Sequence, residues 1–256
     1  MGIDDSNPFK APVARVHDHH NASSFGNFVP EGRRVTAGHG YQWLLRGWEM
    51  FRSAPGTWVG ITIVLIVVMM AIGMIPVINL AVNLLGPVFI GGIVIGCRAI
   101  EDGEGLRFVH LFAGFSSKPG GLLLVGLLYL VAVLLAAAVF GIMVAVGAVG
   151  SGGAPNPFSG SFIVAVIVVA AIFLPLAMAV WLAPPLVVFH DFSAFQALQT
   201  SFMVALRNAV PFLVYGLVFL LAAIVACLPL FLGWLVLVPV LYASLYACYR
   251  DVFFEP

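Results

Sequence analysis

The feature that most constrains the fold is an uncharged stretch, residues 58–97, which contains no Asp, Glu, Lys or Arg. One crossing of a bilayer needs about 20 predominantly apolar residues. The stretch is twice that long, and polar or helix-breaking residues interrupt it near its middle, at Pro76, Asn79, Asn83 and Pro87. It therefore predicts two membrane-spanning helices joined by a tight turn.

The composition agrees with a chain that is solvated by lipid. Hydrophobic residues make up 62% of the 256 residues and charged residues only 9%, whereas a soluble domain carries roughly 25% charged residues. Residues 119–190 and 208–249 also lack charged side chains. We therefore expect an all-α, polytopic membrane protein with six spans in three hairpins, at about 58–75, 84–100, 122–146, 162–188, 212–228 and 234–249.

The cations lie on one side of these hairpins. Outside the first 30 residues they precede the first hairpin, separate the hairpins or follow the last one, at Arg33, Arg34, Arg46, Arg52, Arg98, Arg107, Lys118, Arg207 and Arg250. The three turns within the hairpins carry no cation. The positive-inside bias then predicts that both termini are cytoplasmic.

A short amphipathic segment precedes each hairpin, at residues 41–53, 107–118 and 193–208. Helical spacing separates apolar from polar side chains in each, and Ser193 and Gln196 form a capping-box pattern in the third. Such segments are typical of helices in the membrane interface, although a soluble packing helix is the alternative for the first. The candidate interfacial anchors are Trp43, Trp48, Phe51, Arg46, Arg52, Phe202 and Arg207. Three similar units suggest a pseudo-threefold repeat.

Span four contains Pro175 and ends near Pro184 and Pro185, so we expect it to be kinked or to end early. A kink can serve a transport path, but an ordinary packed bundle is the favoured interpretation. Residues 1–40 are polar and lack an apolar run of signal-peptide length, which predicts a flexible cytoplasmic tail.

Several groups of polar residues are candidates for metal sites. His17, Asp18, His19 and His20 offer imidazoles, but no nearby residue completes a coordination shell, and a solvated tail is favoured. The carboxylates at residues 101–104 lack a calcium-loop spacing and are interpreted as a solvated turn. His39, His110 and His190 fall at the predicted cytoplasmic face. They could converge on a metal or haem, or titrate as a switch, but histidines that simply lie in the interface are the favoured interpretation.

Motifs for catalysis are missing from the sequence. It contains no phosphate-binding loop, nucleophile elbow or His-Glu-x-x-His, and no Asp, Glu, Lys or Arg at membrane depth. Cys97, Cys227 and Cys248 are widely spaced and are expected to be reduced, packed thiols. We therefore expect no cofactor, no enzymatic activity and no nucleic-acid partner.

A resemblance is carried by residues 33–40 (RRVTAGHG), Trp43, residues 47–48, Phe51 and Pro55, and by residues 189–191 (FHD) and 207–208 (RN). This pattern resembles a family of uncharacterised bacterial six-span integral membrane proteins and covers about residues 33–253. The resemblance implies an inner-membrane location and no established activity. It assigns no catalytic or binding residue.

Two functional hypotheses follow. The first is a non-enzymatic membrane scaffold or assembly partner, because three amphipathic segments would form a platform for the lipid bilayer, another membrane protein or a second copy of the chain. The alternative is a carrier or channel for a small neutral or lipid-like solute, which the repeat and the broken spans would suit. An enzyme that uses His190 and Asp191 is a distant third.

Overall fold

The computed structural model describes residues 26–74, 79–150 and 160–255. Within them the chain forms ten α-helices and one short 3₁₀ helix, and the only strand-like pairing is an isolated bridge between Phe28 and Phe254. The helices are α1 (His39–Ser53), α2 (Pro55–Gly73), α3 (Asn79–Glu101), the 3₁₀ helix η1 (Phe108–Phe112), α4 (Ala113–Ser117), α5 (Pro119–Gly150), α6 (Gly160–Trp181), α7 (Ala183–His190), α8 (Ala194–Arg207), α9 (Ala209–Cys227) and α10 (Trp234–Phe253).

The prediction of an all-α, polytopic membrane protein is confirmed. Six helical stretches among the described residues are long and apolar enough to cross a bilayer, namely α2, α3, α5, α6 with α7, α9 and α10. Their ends lie within five residues of the predicted spans. The first predicted hairpin turn is wrong at residues 79–83, which are helical and belong to α3, while residues 75–78 lie outside the described residues. The second predicted turn falls largely in residues 151–159, also outside the described residues.

Proline marks the start of several spans, as the sequence indicates. Pro55 and Pro119 are the first residues of α2 and α5, where a missing N–H costs nothing. Pro175 lies inside α6, but the helix continues to Trp181. The fourth span is interrupted at Leu182 and continues as α7 to His190, so of the two predicted outcomes, a kink or an early end, the structure has a break within the span.

Ser201 of α8 stabilises this break. Its hydroxyl accepts a hydrogen bond from the Leu182 N–H at 3.0 Å and donates one to the Met178 carbonyl at 2.7 Å. Ser201 and Leu182 are fully buried. The hydroxyl therefore bridges the Leu182 N–H and the Met178 carbonyl, which a continuous α-helix would join directly, and it satisfies both groups in a buried place.

The core is formed around α3 and α10. Buried residues make up 56% of the α3 span and 67% of the α10 span, against 22% or less of the other spans. The more exposed α2, α5, α6 and α9 carry many of the large apolar side chains that face outward, such as Met70, Leu135, Leu174 and Leu213. A lipid bilayer is the environment that solvates such surfaces.

Each amphipathic segment packs on the second span of the hairpin before it, in cyclic order. α1 packs on α10, η1 and α4 pack on α3, and α8 packs on α6 and α7. Glycines allow the close approaches: a Cβ on Gly47 of α1 would lie 2.7 Å from the Val240 carbonyl, and one on Gly92 of α3 would lie 2.7 Å from the Leu111 carbonyl. The repeated arrangement is the one that three equivalent units would produce; the sequence repeat itself stays a prediction.

The amphipathic segments differ from the expected surface helices in two respects. α1 turns its apolar face toward α10 and α9, with Trp43, Leu44 and Phe51 buried, so it is a packing helix along that face. The second segment is divided into η1 and α4, and its first turn closes with a hydrogen bond from the His110 N–H to the Arg107 carbonyl at 3.0 Å. The third is a continuous helix, α8, that begins with the predicted capping box of Ser193 and Gln196.

The prediction of a flexible tail is wrong for its last part, residues 26–40, which are folded against the rest of the protein. The N–H groups of Val29 and Arg33 donate hydrogen bonds to the carbonyls of Phe253 and Val252, each at 2.8 Å. Residues 26–38 are therefore joined to the end of α10, because their polar backbone finds partners there. Residues 1–25, including the His17–His20 motif, lie outside the described residues.

Candidate functional site

Asp251, in the last turn of α10, is a buried acidic residue that contacts three other side chains. Its side chain is only 4% exposed. Oδ1 accepts a hydrogen bond from Arg33 Nη2 at 2.7 Å, and Oδ2 accepts one from Trp43 Nε1 at 2.8 Å and lies 2.7 Å from His39 Nδ1. The Arg33 Nε also donates to the Asp251 carbonyl at 2.5 Å. A buried carboxylate is stable in such a place because both of its oxygens have donors.

Asn208, at the junction of α8 and α9, holds the same segment from the other side. Its Oδ1 accepts from the Val35 N–H at 2.9 Å, and its Nδ2 donates to the carbonyls of Arg33 and Val204, each at 3.0 Å. Asn208 is 2% exposed. We call Arg33, His39, Trp43, Asn208 and Asp251 together the N-terminal clamp, because they fix the segment before α1 between α8 and α10.

The contacts of the N-terminal clamp indicate a structural role. A His beside a carboxylate can act as an acid–base pair, but Oδ2 of Asp251 is shared between His39 and Trp43, and Oδ1 contacts Arg33. These contacts join three separate parts of the chain across more than 200 residues. The arrangement therefore orders the fold at this end of the bundle.

A second polar site is a pocket between the C-terminal ends of α3, α7 and α10. Its volume is about 360 Å³. We call it the α3–α7–α10 pocket. Aromatic and cationic side chains, together with residues 26–28 of the N-terminal segment, line it: Gly26, Asn27, Phe28, Arg98, Phe189, His190, Tyr246, Tyr249, Arg250 and Phe254.

Hydrogen bonds and ring contacts fix the walls of this pocket. His190 Nε2 lies 2.5 Å from the Tyr249 hydroxyl, and the Phe28 ring stacks on the imidazole at a centroid distance of 3.5 Å. Glu101 accepts a hydrogen bond from the Tyr246 hydroxyl at 2.6 Å and two at 3.1 Å from the Arg250 guanidinium. The pocket is thus built from side chains with restricted freedom.

Both arginines of the pocket also contact aromatic rings. The guanidinium of Arg98 lies 5.2 Å from the centre of the Phe189 ring, and that of Arg250 lies 4.5 Å from the centre of the Phe254 ring. Arg98 forms a further ion pair with Asp102, at 3.6 Å. Stacking of this kind orients a guanidinium while leaving the edge of its plane for hydrogen bonds.

The three candidate histidines have separate partners. His39 pairs with Asp251 and His190 with Tyr249, while His110 Nδ1 accepts a hydrogen bond from the Arg107 N–H at 3.2 Å. Within residues 26–74, 79–150 and 160–255, no three His, Cys, Asp or Glu side chains are arranged to hold a metal ion. The three Cys residues are free thiols.

His110 lies in η1, outside the spans, and its ring is buried. Burial lowers its pKa below the usual value near 6.5; the nearby Arg107 lowers it further, and Glu104 acts in the opposite direction. His110 is therefore neutral at neutral pH and keeps Nδ1 free of a proton to accept the hydrogen bond from the backbone.

His190 and Asp191 do not act as a pair. Asp191 has a left-handed backbone conformation with φ of 55°, and its exposed carboxylate contacts Lys118. His190 instead faces Tyr249 and Phe28. The geometry gives no support to an enzyme that uses these two residues together.

The predicted anchor residues differ in their exposure and form three groups. Trp43 and Phe51 are buried in the core, which differs from the headgroup position predicted for them, because Asp251 supplies a partner for the indole N–H. Phe202 is half-buried. The remaining four are exposed, namely Trp48, Arg46, Arg52 and Arg207.

No sequence pattern singled out Ser201, Tyr249 or Asp251. Glu101 was interpreted as part of a solvated turn, but it accepts hydrogen bonds from Tyr246 and Arg250. The available signal was position: Asp251 and Asn208 are polar residues directly beside apolar spans, where an unpaired polar group is costly. Their partners lie far away in sequence, so the pairing itself was not readable.

Comparison with known proteins agrees with the architecture. No known family profile matches the chain, and no solved structure matches it. A probable inner membrane protein of Burkholderia thailandensis is 32% identical to this chain, and the alignment covers 86% of this chain and 92% of the relative. With six apolar helices, this likeness indicates a multi-pass protein of the inner membrane. The chain belongs to the same family as this bacterial inner membrane protein.

Proposed function

We propose that the protein is a non-enzymatic membrane scaffold, an assembly partner for another membrane protein or for a second copy of itself. In this proposal both termini are cytoplasmic, as the distribution of cations favours. The N-terminal clamp is the observation that carries the proposal. Its polar side chains are occupied in joining the N-terminal segment, α1 and α10, which supports a rigid assembly surface.

The exposed side of α1 is a suitable docking surface for a partner. Tyr41, Leu45 and Trp48 follow one another at helical spacing and are between 42% and 49% exposed. They lie apart from the buried residues with which α1 packs on α10. Trp and Tyr are the residue types that most often dominate binding at protein interfaces. A partner would therefore engage a stripe that the rigid core holds in place.

Co-purification at native expression level tests the scaffold. We would isolate the tagged protein in polymer discs and identify stoichiometric protein partners by mass spectrometry. The variant Leu45→Ala/Trp48→Ala should lose the partner. The control Leu127→Ala/Leu134→Ala removes apolar side chains of similar exposure from α5 and should keep the partner. A wild-type sample that is monomeric by mass and contains no other stoichiometric protein would refute the scaffold.

A carrier for a lipid-like solute is the second candidate. It is favoured by the break between α6 and α7 and by an adjacent groove of about 200 Å³, because discontinuous spans form the substrate sites of many transporters. Trp181, Phe212 and Tyr215 line this groove. Purification without a protein partner but with one enriched lipid or small molecule, followed by uptake of that molecule into liposomes, would support this function instead.

A further inference from the structure

We propose that the α3–α7–α10 pocket binds the phosphate group of a phospholipid headgroup, with Arg98 and Arg250 as its principal ligands. The pocket lies between three helices of the bundle, and both arginines line it. Basic pockets between membrane helices are typical binding sites for lipid headgroups. The inference does not rest on the scaffold proposal, since a scaffold or a carrier could each hold such a lipid.

The position of the pocket matches the level of lipid phosphates. α10 has 20 residues, which at 1.5 Å per residue span about 30 Å, the thickness of the hydrocarbon core. Its C-terminal end, with Arg250, therefore lies at the membrane interface. α3 also ends near the pocket, and the C-terminal ends of α3 and α10 both carry charged side chains. Lipid phosphates are available at that level.

The chemistry of the walls suits a phosphate that is joined to an organic group. A guanidinium offers a planar set of N–H donors that matches phosphate oxygens. Phe28, Phe189 and Phe254 form an apolar part of the pocket wall, which can contact the organic group. Aromatic side chains are favoured at the headgroup level. The His190 and Tyr249 pair adds polar atoms to the same pocket.

The local charge favours a diester. Arg98 pairs with Asp102 and Arg250 with Glu101, and the C-terminal ends of helices carry partial negative charge. Part of the positive charge is therefore neutralised already. A phospholipid phosphodiester carries one negative charge, whereas a free phosphate monoester carries about −1.5 to −2 at neutral pH. The pocket should thus prefer the lipid.

Native mass spectrometry of the full chain in a neutral detergent tests the proposal. We would titrate dioleoyl phosphatidylglycerol, dioleoylglycerol, which lacks the phosphate, and the soluble probes inorganic phosphate and glycerol 3-phosphate. We expect phosphatidylglycerol to bind at least tenfold more tightly than the other three probes. Equal binding of dioleoylglycerol would overturn the site, and equal binding of a soluble phosphate would overturn the lipid as its source.

Matched variants locate the binding. Arg98→Gln should weaken phosphatidylglycerol binding about tenfold, the loss expected for one charged hydrogen bond. Asp102→Asn removes the same ion pair but keeps the guanidinium, and Arg46→Gln removes an exposed cation of α1; both should bind within twofold of wild type. If Arg98→Gln does not fold, Arg98→Lys is used in its place, because it keeps the charge. Arg98→Lys should bind phosphatidylglycerol severalfold more weakly than Asp102→Asn does. If Asp102→Asn weakens binding as much as the Arg98 variant, the proposal is wrong.

Discussion

Replacing Asp251 by Asn should destabilise the protein more than any change of one exposed charge. The carboxylate interacts with Arg33, His39 and Trp43 at distances of 2.7 to 2.8 Å. Asn keeps the shape and one acceptor oxygen, so about two of the three interactions with charged character are lost. Hydrogen bonds to charged groups contribute about 1.5–3 kcal/mol each. Because Arg33 and His39 are more than a quarter exposed, the lower value applies, which gives a loss of about 3 kcal/mol.

Thermal unfolding in one fixed detergent, followed by tryptophan fluorescence, measures this loss. About 3 kcal/mol corresponds to a decrease in Tm of about 6–12 °C for a chain of this size. The control is Asp102→Asn, whose ion pair with Arg98 is long, at 3.6 Å, and more than 40% exposed on both sides. Such a pair contributes less than about 1 kcal/mol.

A double-mutant cycle separates the clamp from a general effect of losing a charge. Arg33→Gln and Asp251→Asn should be coupled by at least about 1 kcal/mol, because their side chains are in direct contact. The reasoning would be refuted by additive effects of the two changes. It would equally be refuted if Asp251→Asn and Asp102→Asn lowered Tm by the same amount.

Three further changes test other parts of the structure. Ser201→Ala should cost about 1–3 kcal/mol in unfolding free energy, because the Leu182 N–H then has no acceptor at the buried break; an unchanged Tm would contradict this. Gly47→Ala should cost about 1–3 kcal/mol, because a Cβ would lie 2.7 Å from the Val240 carbonyl. The control Gly56→Ala has open space around it and should leave Tm unchanged. The lowered pKa of His110 means that the unfolded chain takes up a proton at a higher pH than the folded chain, so stability should be full above about pH 6.5 and fall as the pH decreases below it. His110→Asn should reduce the difference in Tm between pH 8 and pH 5, and an equal difference in both proteins would refute the assignment.

The spans could be predicted from sequence because the bilayer imposes a length and a composition on each helix. Pro184 and Pro185 then indicated the interruption of span four before α7. The signals are local in both cases. They required no knowledge of which helices are neighbours.

The packing of α1 was only partly predictable because amphipathicity does not say what covers the apolar face. The same pattern of Trp43 and Phe51 suits a membrane interface or a neighbouring helix. The decision depends on Gly47, which allows close approach to α10, and on Asp251, which receives the indole N–H. The partners in α10, Val240 and Asp251, lie near the other end of the chain. Periodicity within α1 carries no information about them.

The clamp also sets the order in which the protein can be completed. Trp43 is synthesised early, but its partner Asp251 comes 208 residues later in the sequence. At about 5–20 residues per second, α1 waits about 10–40 s for α10 to be made. During that interval the face of α1 that α10 will cover has only provisional neighbours, such as lipid or an insertion factor. This end of the bundle therefore cannot close before α10 has been made, and a nascent chain that stops before α10 should leave its N-terminal segment open to protease.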